Sequence, residues 1–283
     1  MQTIKFLAIG TAIYFTLLYA SATATDYGGC KFNSNTLRFS GTATEQANCL
    51  LRKVIPKGKG STAQPIPDWL VTHIDKSVAL PLTKLIKYLA SNGIAHTDLG
   101  GTIVSGDAVE LRYFVIHDTS YPEVLGAFPS NIDDAAYVGN HFNIWSDLKN
   151  KVNLIVSRDG RSHLFNDFKA HRSEAGVKIE TMSRVPQSRK VFAQVENVQP
   201  RIKPLDSFAW IAPSPGFSIK QEKRLALIYI VSSVRAGRWL IPAYHFNIDQ
   251  GIPNGHDDPQ NTDLARWVGD ISAIETEIMN TAD

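Results

Sequence analysis

Cysteine-based metal sites are missing from this sequence. No CxxC or CxxH spacing occurs, and the chain has two cysteines in all, Cys30 and Cys49. Neither therefore reads as a metal ligand. A charge excess of either sign is missing as well: 29 Lys and Arg stand against 27 Asp and Glu, a formal +2. Such a balance argues against nucleic acid as a partner. The local exception is basic, Arg52 to Gly60 (RKVIPKGKG). It reads as a solvated loop, or as a segment that lies against an anionic cell-wall polymer. There is no internal repeat and no low-complexity tract. Beyond the amino terminus no apolar run approaches the roughly 20 residues that a membrane span needs.

The amino terminus itself reads as a targeting segment. Lys5 precedes an apolar run, Phe6 to Tyr19, and Ala20-Ser21-Ala22-Thr23-Ala24 follows with small residues. This is the pattern of a signal peptide, residues 1–24, cut after Ala22 or Ala24; the alternative is a retained anchor. Cys30 lies well past the apolar run, so it does not read as a lipidated cysteine. Export implies a periplasmic or secreted protein with no stable membrane insertion after cleavage. In that oxidising setting two cysteines predict one disulfide, Cys30 to Cys49. Removing residues 1–24 leaves 259 of 283, enough for one large domain with an extension. The division expected is a partly helical extension over 25–95 and a main domain over 96–283.

Periodicity supplies the elements. Asp68–Ala79 and Leu82–Asn92 predict helices, the second with Leu82, Leu85, Ile86 and Leu89 on one face and Gly93 at its end. Both are expected to pack on the main domain. Ala108–Ile116 alternates and then turns continuously apolar, as a strand entering a buried sheet does. Tyr121–Asp147 reads as a loop that walls a groove. Val152–Ser157 and Arg161–Phe165 flank Arg158-Asp159-Gly160 as a hairpin. Val191–Val198 predicts another strand. Ser218–Arg235 is the clearest helix, with a Ser218/Gln221 capping box and Gly237 to close it. Leu240–Tyr244 predicts a short buried strand ending at His245. The class expected is α/β, a central mixed β-sheet flanked by helices.

Chemistry concentrates in two distant pieces. FVIHDTS, Phe114 to Ser120, ends a strand at His117. LIPAYHFNIDQGIPNGHDDPQN, Leu240 to Asn261, holds His245, His256, Asp257 and Asp258. His117, His245 and one residue of the 256–258 cluster make a three-ligand zinc set, which leaves a fourth position open as catalytic zinc sites do. Imidazole and carboxylate without thiolate suit hydrolysis, in which zinc acidifies water and polarises a carbonyl. Glu196 is costly in an apolar strand if buried and unpaired. It reads either as an exposed edge residue or as the carboxylate that moves the proton. On residues alone this is an exported zinc hydrolase of an amide or ester.

The order FVIHDTS, VNLIVSRDGRSHLF, VFAQVENVQPR, the capped helix, PAYHFNID and HDDPQ resembles the type 2 N-acetylmuramoyl-L-alanine amidases, the zinc family that includes the peptidoglycan recognition proteins. The resemblance runs from about Val109 to Asn261. It implies a mixed sheet with helices on its faces and zinc in a surface groove. It places the first two zinc ligands on His117 and His245, and the carboxylate ligand, which precedes a proline, on Asp258. The gap from His245 to Asp258 is longer than in the family, which keeps His256 and Asp257 open as the third ligand. The catalytic glutamate falls on Glu196. The family's transition-state lysine falls on His256, which would donate to the oxyanion. His171 is a candidate groove residue, while His141 and His163 read as structural or surface residues. The implied reaction cleaves the amide between the lactyl group of N-acetylmuramic acid and L-alanine, so the partners are peptidoglycan or muropeptides. Three other readings stay open: a non-catalytic peptidoglycan-binding protein, a zinc peptidase or esterase on the same scaffold, and a structural cell-wall protein with a fortuitous histidine cluster, against which stoichiometric zinc would count.

Overall fold

The computed structural model describes residues 26–56, 60–104, 109–170, 172–203 and 210–282. The signal-peptide reading of residues 1–24, the lysines of the basic stretch at 57 and 59, and His171 lie outside the described residues.

In chain order, β1 (Asp26–Tyr27), β2 (Phe32–Asn33) and β3 (Arg38–Phe39) form a small antiparallel sheet, followed by α1 (Ala43–Leu50). The hairpin of β4 (Lys53–Val54) and β5 (Ser61–Thr62) leads to α2 (Asp68–His73) and α3 (Leu82–Ser91). Next come β6 (Tyr113–Ile116), β7 (Glu123–Val124), β8 (Leu154–Val156), β9 (Ser162–Leu164) and the short α4 (Lys178–Met182). The chain ends with β10 (Phe192–Asn197), β11 (Arg201–Ile202), α5 (Ile219–Ala236), β12 (Ile241–Tyr244), α6 (His245–Asp249) and α7 (Leu264–Met279).

The central sheet has the order β12-β6-β10-β8-β9. Its first four strands are parallel and β9 runs antiparallel to β8. The expected mixed sheet with helices on its faces is thus present. Alternation along β6 divides the two layers. Phe114 meets Tyr229 of α5 at 5.3 Å and Trp267 of α7 at 6.1 Å. Tyr113 points the other way: its ring packs on Phe39 at 5.0 Å, and its hydroxyl donates to Gln46 Oε1 at 2.8 Å. Residues 25–95 were set apart as an extension by the sequence reading. Their apolar side chains, among them Phe32, Leu50, Leu70 and Leu85, belong to the same core cluster as the sheet. The expected Cys30–Cys49 disulfide is formed.

The clearest predicted helix is built as its sequence implies. Ser218 accepts from the Gln221 N–H, Gln221 reaches back to the Ser218 N–H, and Gly237 closes the end at φ 69°. Gln221 also donates to the Val156 and Val198 carbonyls, both at 3.0 Å, which ties the helix start to the ends of β8 and β10. Two boundaries differ from expectation. The helix expected over Asp68–Ala79 stops at His73, because Asp75 turns at φ 61° and the chain pairs with Trp239 instead. The stretch after Tyr244 begins with helix α6 rather than a loop. The sequence reading also left α7 out. Its start is marked by Asp263, which accepts from the Arg266 N–H, and Leu264, Trp267, Val268, Ile271, Ile274 and Ile278 recur at helical spacing on its buried face.

Buried tyrosines give the fold a limit at high pH. Burial pushes both Tyr113 and Tyr244 up to about 12, from an ordinary 10.0. The folded chain keeps these protons while the unfolded chain releases them near pH 10. Their contribution is therefore complete below about pH 10 and is lost as pH rises through 12. Phenolate absorbance and far-ultraviolet circular dichroism should change together over that interval. Titration of all tyrosines with ellipticity unchanged through pH 12 would contradict the packing described.

Candidate metal centre

Parallel register decides where the site forms. Ile116 of β6 pairs with Tyr244 of β12 on one side and with Val195 of β10 on the other. The next residues on the three strands are His117, His245 and Glu196. With neighbouring strands about 4.8 Å apart, these side chains start side by side on one face of the sheet. They stand at the carboxyl ends of the strands, where open α/β sheets place their ligands. Asp258 arrives from the loop after α6. Its carbonyl accepts from the Phe246 N–H at 2.9 Å and its carboxylate from the Asp118 N–H at 3.2 Å.

His117, His245 and Asp258 converge as a buried group that can hold a metal ion. His117 Nδ1 lies 3.0 Å from His245 Nδ1, His245 Nδ1 lies 3.1 Å from Asp258 Oδ2, and His117 Nδ1 lies 3.7 Å from that oxygen. Metal–ligand bonds of about 2.0–2.1 Å give a tetrahedral centre donor–donor edges of roughly 3.4 Å. The observed edges bracket that value.

Hydrogen bonding on the far side of each ring fixes which nitrogen faces the centre. His117 Nε2 sits 2.5 Å from Gln194 Oε1. The Gln194 amide cannot turn over without loss, because its Nε2 donates to Glu180 Oε1 at 3.1 Å. His117 Nε2 therefore carries the proton and donates it, leaving Nδ1 as a lone pair. His245 Nε2 likewise donates to Asp249 Oδ2 at 2.9 Å. A ligating histidine whose other nitrogen donates to a carbonyl or carboxylate is the usual arrangement at a metal. Two bare nitrogens 3.0 Å apart repel each other, so a cation or a proton must lie between them. Asp258 Oδ1 is buried, has no hydrogen-bond donor, and lies 3.0 Å from His245 Nδ1.

Electrostatics agree with this assignment. Burial pushes His117 down to about 3, assisted by His245. For His245, burial alone would lower the pKa, but the Asp258 and Asp249 carboxylates outweigh it and hold it well above the usual value. For Asp258, the neighbouring His245 and His117 outweigh burial and hold it well below the usual carboxylate range. Without a metal, His245 thus takes the proton that the centre demands. Glu196 is buried, its Oε1 has no partner, and burial with the Asp258 and Asp118 charges raises it well above its usual value. A carboxylate so placed is a strong base for its type.

The group opens into a groove of about 600 Å³. Tyr121, Ile144 and Trp145 line it, as the Tyr121–Asp147 reading expected, together with Leu148, Lys151, Glu196, the three candidate ligands and His256. The His256 ring stacks on His245 at 4.8 Å, with its Nδ1 3.9 Å from Asp258 Oδ1. It is exposed, and burial of its inner edge together with His245 lowers its pKa. Asp257 turns aside, its carboxylate accepting from Gln260 Nε2 at 2.8 Å. Of the three candidates for the third ligand, Asp258 is therefore the one in the converging group. His163 packs between Phe142 and Phe165, away from the groove.

Several supporting residues escaped the sequence reading. Gln194 is two residues before Glu196 and so shares its face of β10. Asp249 is one helical turn beyond His245. Both spacings were legible. Asp118 was seen only as part of a turn; it is buried, paired with Arg201 at 2.7 Å, and accepts from the Gln260 N–H at 3.0 Å. Burial outweighs Arg201 and moves Asp118 up to about 6. Nothing in the local sequence announces Arg201 as its partner.

No family model, curated protein or solved structure matches this chain. The site is therefore read from its own geometry. Two nitrogens and a carboxylate suit zinc, and the same set serves Fe(II) as a facial triad.

Metal uptake should displace the proton held at His245. Affinity should rise about tenfold per pH unit near neutrality, with about one proton released per ion, as calorimetry in buffers of different ionisation enthalpy would read. His117→Ala and His245→Ala should each abolish binding and the accompanying rise in melting temperature. Unchanged affinity in either variant would remove that residue from the centre.

Proposed function

We propose that the protein is an exported zinc-dependent amidase that hydrolyses the bond between the lactyl group of N-acetylmuramic acid and L-alanine in peptidoglycan. The observation that carries this reading is the row of His245, His117 and Glu196 across three adjacent strand ends, with Asp258 completing the group. The order of those residues along the chain is the one that the resemblance implies. The Cys30–Cys49 disulfide supports export, since such bonds persist in oxidising compartments. None of the helices among the described residues is long and apolar enough to cross a membrane.

Zinc held by His117 Nδ1, His245 Nδ1 and Asp258 would supply Lewis acidity toward the scissile carbonyl and acidify water. The chain's own residues do the rest. Glu196, buried beside the ligands, accepts the proton of the attacking water and passes it to the departing amine of L-alanine. His256, lining the groove, offers an N–H to the developing oxyanion. Tyr121 is 51% exposed and its ring meets Trp145 edge-on at 5.7 Å, which suits the apolar face of a sugar. Lys151 gives the groove a cation for a peptide carboxylate.

The test is a digest of purified peptidoglycan with zinc-loaded protein, read by mass spectrometry. Stem peptides beginning with L-alanine and glycan stripped of peptide are expected. Cleavage within the peptide would replace the substrate and keep the zinc hydrolase. Tight binding without cleavage would make it a recognition protein. Glu196→Gln should keep zinc and lower turnover by roughly 10²- to 10⁴-fold; full activity in that variant would refute the proton-transfer role.

A further inference from the structure

Both histidines are steered from one place. Lys178, Ile179 and Glu180 are consecutive residues at the start of α4. One line of contacts runs from His117 Nε2 to Gln194 Oε1 at 2.5 Å, and from Gln194 Nε2 to Glu180 Oε1 at 3.1 Å. The other runs from His245 Nε2 to Asp249 Oδ2 at 2.9 Å. That carboxylate accepts the Lys178 N–H at 2.8 Å and the Ile179 N–H at 3.1 Å. Glu180 is fixed in turn. Arg172 grips it with two hydrogen bonds, at 3.1 and 2.5 Å, and the Gly176 N–H donates to it at 2.8 Å. Arg172 is itself anchored on the Lys151 and Arg189 carbonyls.

We propose that α4 is the common anchor of the metal centre, and that Gln194 and Asp249 are positioning residues which set its affinity by holding both imidazoles with Nδ1 bare. The reason is a matter of donors and acceptors. A carboxylate paired with buried Arg172 accepts hydrogen bonds and offers none. It therefore keeps the amide NH₂ of Gln194 on its own side and the amide oxygen toward His117. If the amide turned over, its NH₂ would face Nε2, the ring proton would move to Nδ1, and the ligand lone pair would be lost. Asp249 does the same for His245 with no amide between, and the first N–H groups of α4 keep its two oxygens in place. Gln194, Asp249 and Glu180 are all buried, so water cannot substitute for the missing partner. Outer partners of this kind typically account for 10- to 100-fold in metal affinity. This inference rests on the metal reading of the site and is independent of the bond cleaved.

The experiment is a zinc titration of the whole chain against a chromophoric chelator, with the melting temperature of the metal-free protein measured alongside. Gln194→Met fills the same space without an acceptor, and Asp249→Leu likewise removes the acceptor from His245 Nε2; asparagine would not, because the His245 and Lys178 donors converge on one oxygen and would hold the amide oxygen there. Each should bind zinc 10- to 100-fold more weakly, and the metal-free melting temperature of Gln194→Met should stay near that of the parent. Gln194→Glu keeps an acceptor at Nε2, with a proton held between it and Glu180, and should recover most of the affinity. Gln194→Asn, which keeps the amide but falls short of His117, provides the same comparison if methionine prevents folding. A folded Gln194→Met or Asp249→Leu chain that binds zinc as tightly as the parent overturns the proposal. So does equal weakening by Gln194→Glu, which would point to packing rather than to the acceptor. A parent chain that takes up no zinc removes the metal reading and this inference together. Peptidoglycan does not enter the measurement, so failure of the amidase reading is told apart from failure here.

Discussion

Two imidazole nitrogens and a carboxylate, each presenting lone pairs, are held 3.0–3.7 Å apart in a buried pocket. Left alone, such a group would push itself apart, and a few tenths of an ångström of relaxation would relieve it. The fold denies that relaxation. His117 and His245 are the residues next after paired positions on adjacent parallel strands, so their backbones cannot separate without breaking the β12–β6 ladder. Asp258 is held from both ends, by its own carbonyl on the Phe246 N–H and by its carboxylate on the Asp118 N–H. Electron-rich atoms confined in this way favour a cation, and they do so more strongly because the surroundings are desolvated.

The amino-terminal segment takes part in that confinement. Asn247, on α6 two residues after His245, donates to the Leu50 and Arg52 carbonyls at 2.9 and 2.7 Å. The Gly29 N–H donates to the Gln250 carbonyl at 2.6 Å, just past the end of α6. Gly28 lies at φ 72°, and a Cβ there would come within 2.9 Å of the Ile248 carbonyl, so only glycine lets the chain approach so closely. The Cys30–Cys49 disulfide joins this approach to α1, whose last residue is Leu50. Residues 26–54 therefore brace the helix that begins with His245, a candidate ligand.

The sequence made the strands, the long capped helix and the converging ligands legible because each rests on a local signal. Alternation leading into β6, a Ser–Gln box before α5, and histidines directly after apolar runs all act over a few residues. The residues alone left Asp258, Asp257 and His256 open and the Asp–Pro resemblance pointed to Asp258; the contacts that separate them, the Asp118 N–H on Asp258 and Gln260 drawing Asp257 aside, belong to the folded chain. The same holds for the early end of α2, where pairing with Trp239 wins over a continuing helical pattern. Helix α7 is the opposite case. Its period is present in Leu264, Trp267, Ile271 and Ile278, so it is legible from local signals that the sequence analysis did not use. Arg172 and Arg201 were illegible for a physical reason: a buried arginine is identified by its carboxylate partner, and Glu180 and Asp118 are eight and 83 residues away.

Charge balance gives the metal reading its last support. Glu180 is matched by Arg172 and Asp118 by Arg201, each pair buried and closed. Burial and the Asp258 and Asp118 charges raise the pKa of Glu196 well above its usual value. Two formal negative charges then remain, Asp249 and Asp258, and among the described residues their only ion-pair partners are histidines. One proton on His245 offsets half of that. A divalent ion that displaces the proton offsets all of it, and it leaves both imidazoles neutral, as ligation requires. Burying uncompensated charge is costly, so the pocket is closer to electroneutral with a dication than without one.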